Sequence, residues 1–189
     1  MSSIRLFILD GFERHGPMHG YELKTILERE RIDQWTDISI SAIYGALRRV
    51  AADGLLTPKQ VEREGNRPAR QVFAITDTGR QVLAELRRTE MATVVVNADP
   101  FDLALTHSDP DRLDELPATI KGRLARLRQL LSERQAFSDR AAPHISLVKA
   151  HALRHREFLL RAEIAWHQQL LDAADNIRRD ERSRHETQH

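Results

Sequence analysis

No cysteine occurs among the 189 residues. That absence excludes disulfides, thiolate nucleophiles and cysteine-bound zinc, and it fits a reducing compartment. Aromatic residues make up only 5% of the chain, which speaks against an all-β sandwich and for a helical protein. An excess of one charge is missing too. The 29 Lys and Arg residues stand against 28 Asp and Glu, a net charge of +1, so any basic surface has to be local. No apolar run comes near the roughly 18 residues that a membrane span needs. The opening MSSIRLFILDGF lacks the basic start, long apolar stretch and small-residue cleavage site of a secretory signal. A soluble cytoplasmic protein with no membrane partner is expected. There is no nucleophile elbow, phosphate-binding glycine loop or H-E-x-x-H pair. No catalytic residue, cofactor or metal is therefore expected, and the chain reads as a non-enzyme.

What the chain does have is 41% hydrophobic residues, enough for one core or two small ones. Residues 4–15 read as a short, mostly apolar helix stopped by Gly16-Pro17. A second helix is expected over about 20–31, with Leu23, Ile26 and Leu27 inward. Tyr21 and Trp35 read as packing residues. A third helix spans about 40–53, with Ser39 as its N-cap. In it Ile40, Ile43, Leu47 and Val50 repeat at three, four and three, which makes one apolar stripe at 100° per residue. Gly54 stands where a helix C-cap needs positive φ. Residues 55–61 read as an edge strand marked by Pro58, and Glu64 to Pro68 as a turn. Residues 71–75 form the returning strand. Thr76 caps a further helix running to about Val94.

The order helix, short strand, arginine-rich turn, strand, helix is the pattern of a winged helix-turn-helix, with three helices and a two-stranded wing. Opposite the apolar stripe of the third helix lie Ser41, Tyr44, Gly45 and Arg48, with Arg49 on the flank. Small Ser41 and Gly45 allow close approach to a groove. The Tyr44 hydroxyl can reach a phosphate, and Arg48 a guanine edge or a phosphate. From Arg48 to Arg70 six basic residues face three acidic ones, an imbalance found within a nearly neutral chain. Ser39, Ser41, Tyr44, Arg48, Arg49, Arg63, Arg67 and Arg70 are the expected contacts to double-stranded DNA.

Residues 97–110 read as a linker with two Asp-Pro pairs, whose aspartates serve as helix caps. A long helix is expected from about 117 to 141, with Ile120, Leu124, Leu127 and Leu131 on one stripe. A last helix is expected from about 144 to 178. One of its stripes is Ile145, Val148, Ala152, His155, Leu159, Ala162 and Trp166, close to a heptad seam. A second stripe, Leu153, Leu160, Ile164 and Leu171, widens the apolar face. His144, His151 and His155 share a helix face and read as ordinary surface or interface histidines, because nothing completes a zinc set.

Several ordered motifs accompany this pattern: HGYEL at His19 to Leu23, Ser39 through Tyr44, Leu47, Val50, Gly54 and Leu56, GNRPAR at Gly65 to Arg70, and AITDTGR at Ala74 to Arg80. Together they resemble the PadR family of bacterial transcriptional regulators over about residues 4–88. DPFDLAL and AEIAWHQQLL resemble the longer subgroup of that family more weakly. Phe73 departs from the family, which commonly carries Tyr there. The resemblance implies a mainly α protein, usually a homodimeric repressor on an inverted-repeat operator, with some relatives responding to small aromatic or drug-like effectors. It divides the chain into a winged-helix DNA-binding domain (1–88), a helical dimerisation and effector domain (89–180) and a disordered tail (181–189). Leu124, Leu131, Leu159, Ala162 and Trp166 are the expected interface or effector residues. A winged helix acting as a protein-interaction adaptor without DNA is the alternative, although such a module has no need of an arginine-rich wing.

Overall fold

The computed structural model describes residues 2–32, 36, 38–62, 70–96 and 98–188. They form two compact units, Met1–Val96 and Asn97–His189.

The first unit begins with α1 (Ser2–His15), whose Ile8, Leu9 and Phe12 are fully buried. β1 (Met18–His19) leads into α2 (Gly20–Glu30). His19 caps α2: its Nδ1 accepts the Glu22 N–H at 3.2 Å while Glu22 accepts the His19 N–H at 2.8 Å, a reciprocal capping box. After a 3₁₀ turn (Ile40–Ala42) comes α3 (Ile43–Ala52). The expected third helix is thus split, and its first turn is wound more tightly. Ser39 stands before that turn, but its hydroxyl makes no cap bond and pairs with Ser41 Oγ at 3.2 Å.

α3 ends as its sequence requires. Gly54 has φ +73, its N–H reaches the Ala51 carbonyl, and the Leu55 N–H reaches the Val50 carbonyl at 3.2 Å. These are the two bonds of a Schellman cap. β2 (Leu56–Glu62) and β3 (Arg70–Ile75) form the hairpin, and α4 (Asp77–Ala92) closes the unit. The sheet order is β1-β3-β2, all antiparallel. The expected two-stranded wing is therefore joined by a third strand of two residues, Met18 pairing with Phe73 and His19 with Val72. The register slips between Pro58 and Val61, where proline has no N–H to offer the ladder. The core joins Ile8, Leu9 and Phe12 to Leu23, Leu27, Ile43, Leu47, Val50 and Leu83.

In the second unit the expected linker contains a helix, α5 (Pro100–Thr106). The two Asp-Pro pairs do cap, as expected: Asp99 accepts the Phe101 N–H at 2.9 Å and Asp109 accepts the Asp111 N–H at 3.0 Å. A 3₁₀ turn (Pro110–Glu115) precedes α6 (Leu116–Ala141), and a second (Ala142–His144) precedes α7 (Leu147–Gln188). α6 and α7 pack antiparallel around Leu113, Leu116, Ile120 and Leu124, with Ile164, Leu171 and Ile177 against them.

Two expectations about α7 need correction. The helix does not stop at Arg178, and the expected disordered tail, 181–189, is helical as far as Gln188. Arg178 and Arg182 each donate to the Asp114 carboxylate at 2.8 Å, and Arg184 pairs with Asp180 at 2.8 Å, so polar residues extend the helix without an apolar face. Leu124, expected at an interface or effector site, lies on α6 among the residues that pack against α7. It is 2% exposed within one chain, because its stripe is consumed by packing against α7. No helix of the described residues is long and apolar enough to cross a membrane.

Candidate nucleic-acid interface

α3 buries Ile43, Ala46, Leu47 and Val50 and turns the opposite side outward. Ser39, Ser41, Arg48 and Arg49 are exposed, and Tyr44 is 44% exposed. Tyr44 and Arg48 fall in one wedge of α3, and the exposed Ser41 stands in the 3₁₀ turn that leads into it. Arg49 lies on the other flank, with its guanidinium folded toward Gly45, and lines a groove with Ile4, Arg5 and Leu86.

The neighbouring elements hold this wedge in place. The Tyr44 ring lies on Gly20, where an added Cβ would sit 3.2 Å from Tyr44 Cε1 and 2.9 Å from Leu47 Cδ2. Glycine in HGYEL is therefore what lets α2 approach α3. The same motif supplies the capping His19 and Glu22 and the buried Leu23. Tyr21, expected to be a packing residue, is instead 53% exposed. Its ring lies 5.9 Å from Lys24 Nζ. Lys24 pairs with Glu28 at 3.2 Å, and the hydrogen bond it donates to that carboxylate holds its ammonium above the ordinary value, with Tyr44 and Tyr21 adding smaller contributions in the same direction. Tyr21 and Lys24 thus join Tyr44 in an exposed patch of two phenols and a cation that the sequence reading missed. The signal was available, since Tyr21 stands two residues before Leu23 and so lies on the opposite side of the buried stripe.

The hairpin is tied to the end of α3 through Thr76. Its hydroxyl donates to the Gly54 carbonyl at 3.0 Å and accepts the Gly79 N–H at 3.0 Å, while the Thr76 N–H reaches the Leu55 carbonyl at 3.0 Å. A side chain at Gly79 would collide with the Leu55 carbonyl oxygen and sit 2.8 Å from Ile75 Cγ1. Arg80 clamps the start of α4 to Glu13 at 3.0 Å. AITDTGR is thus a fastening between α3, hairpin and α4. Arg63, Arg67 and the GNRPAR turn before Arg70 lie outside the described residues, as does Trp35. Arg70 opens β3.

In the second unit, Leu159 is 46% and Trp166 38% exposed, Ala162 is exposed and Leu131 half-buried. Val148 on the same stripe is 79% exposed, whereas Leu153 from the second stripe is buried. His144, His151 and His155 are exposed. Among the described residues no three His, Cys, Asp or Glu side chains gather as a cation site.

Residues 8–85 match the family model of the transcriptional regulator PadR-like family. Solved structures with this fold include Bacillus subtilis PadR in complex with operator DNA (19% identity, 91% of this chain and 99% of that one, TM-score 0.68). They also include a PadR-like transcriptional regulator from Bacillus cereus (20%, 92% and 98%, TM-score 0.59) and Bacillus subtilis PadR in complex with p-coumaric acid (17%, 92% and 97%, TM-score 0.65). No curated protein sequence matches the chain. The likeness in fold runs through both units, and residues 8–85 carry a domain of the transcriptional regulator PadR-like family.

Proposed function

We propose that this regulator is a homodimeric repressor that binds an inverted-repeat operator and releases it when a small aromatic effector binds. One observation carries the reading: the outward face of Ser41, Tyr44 and Arg48, set opposite a fully buried stripe and fastened beside a hairpin. A B-DNA major groove accepts one helix. Ser41 and Gly45 permit close approach, Arg48 reaches a guanine edge or a phosphate, and the Tyr44 hydroxyl donates to a phosphate. Tyr21 and Lys24 extend the phosphate-facing side onto α2. Ser39 and Arg49 flank it, and Arg63, Arg67 and Arg70 supply the wing's charge along the backbone or in the minor groove. Affinity then comes largely from phosphates and falls steeply with salt.

A second copy covers the stripe of Val148, Leu159, Ala162 and Trp166 that one chain leaves exposed. Two-fold symmetry then sets half-sites about one helical turn, or a multiple of it, apart. The relative bound to operator DNA and the one bound to p-coumaric acid support the DNA and effector parts of the reading, and a function on the genome places the protein in the cytoplasm.

A gel shift on the DNA upstream of its own gene, and on duplexes selected from a random pool, tests the proposal. Binding should fall by about 10³-fold or more between about 50 and 200 mM salt. Failure to bind either duplex in a salt-dependent way would favour the adaptor reading.

A further inference from the structure

In the first unit α1, α3 and α4 enclose a groove of about 330 Å³, at the small end of ligand-sized cavities. Ile4, Val50 and Leu86 line it with aliphatic carbon, and Arg5, Arg49 and Asp53 bring charge to it. Its α3 side, Arg49 and Val50 with Asp53 one residue past the helix, lies away from Tyr44 and Arg48. A duplex held by those two residues therefore leaves the groove open.

The chain does not satisfy the two guanidiniums. Other arginines of α1 and α4 hold carboxylates closely: Arg14 and Asp10 at 2.8 Å, Arg80 and Glu13 at 3.0 Å, Arg87 and Asp10 at 2.5 Å. Arg5 Nη2, by contrast, stands 3.4 Å from Asp53 Oδ2, longer than a charge-assisted hydrogen bond. Arg5 Nε is buried and has no acceptor among the described residues. A buried donor on a cation is costly to leave unpaired, and such a group calls for a partner. Arg49 is exposed, and its side chain has no carboxylate partner among the described residues.

A phosphate monoester matches this arrangement. One guanidinium fork satisfies the two oxygens of a carboxylate. A phosphate monoester offers three oxygens and close to two negative charges, enough for two forks. The groove lining is aliphatic and holds no ring on which an aromatic body could stack, so a hydrocarbon chain suits it better. We propose that the groove binds an alkyl phosphate monoester, with Arg5 and Arg49 on the head group and Ile4, Val50 and Leu86 around the chain. Arg5 Nε then gains its acceptor, and the half-exposed Asp53 turns to water. Arg49 and Val50 belong to α3, so an occupant touches the helix that faces the duplex.

Calorimetric titration of the full chain with hexyl phosphate, without DNA, tests this. One equivalent per chain should bind. Hexanoate, which fills one fork, and inorganic phosphate, which has no chain, should each bind about tenfold more weakly or worse. Arg5→Gln and Arg49→Gln should each weaken hexyl phosphate by a similar factor at unchanged circular dichroism. Arg48→Ala, on the other side of α3, should bind it as wild type does. Vesicles doped with phosphatidate identify the source of the head group: flotation that Arg5→Gln abolishes assigns it to a lipid, and no flotation assigns it to a free metabolite. No binding by wild type, equal affinity for hexanoate, indifference to both arginine substitutions, or loss in Arg48→Ala would overturn the proposal. Operator binding enters none of these measurements, so failure of the repressor reading leaves this site standing.

Discussion

Gly79 has no room for a methyl group, because backbone from the end of α3 occupies that space. Gly79→Ala should destabilise the first unit by about 1–3 kcal/mol, seen as a lower urea midpoint at unchanged slope; an unmoved midpoint would mean that the fastening yields. Arg48→Ala should flatten the salt dependence of operator binding by about one unit. An unchanged slope would take Arg48 off the phosphates. At this scale the reading frame of α3 was legible, since Ile43, Leu47 and Val50 repeat with the helix period and Gly54 follows where positive φ is needed. Tyr21 was misread by residue type, against its own periodicity. His167 could not be read at all. It sits in a polar run and is buried by Arg123, an α6 residue 44 positions away.

Elements were legible where their signals are local and missed where distant pairing makes them. β1 is a strand only because Met18 and His19 meet Phe73 and Val72, and α5 hides behind Asp-Pro pairs that read equally well as turns. The end of α7 looks disordered in sequence, yet Asp114 gathers Arg178 and Arg182 there. Hydrogen bonds from Arg178 and then Arg182 hold the Asp114 carboxyl below its ordinary value. A carboxyl depressed in the native state stabilises it above the ordinary carboxylate pKa and stops doing so as pH falls through the depressed value. The last turns of α7 should therefore stay ordered at neutral pH and fray on acidification, with faster amide exchange at residues 178–188. Asp114→Asn should bring the same fraying at neutral pH, and exchange indifferent to both changes would contradict this role for Asp114.

Across the whole molecule, the two apolar stripes of α7 divide their work. Leu153 and Ile164 serve the chain's own core, while Val148, Leu159 and Trp166 are left outside. The sequence shows both stripes but cannot say which partner each has. Leu159→Asp should shift sedimentation from dimer toward monomer and weaken operator binding, while moving the stability of one chain by under about 0.5 kcal/mol. A dimer equally tight with aspartate there would place the seam elsewhere. The hairpin bears on how the protein behaves at high concentration. β2 is an outer strand, and an outer strand with free amides is a template on which further molecules can polymerise. Pro58, the exposed Lys59 beside it and the slip in register break that template in three ways at once. Pro58→Val should therefore leave the fold intact but give concentrated solutions that scatter light and form fibrils, and solutions that stay clear would mean that the edge is guarded by other means.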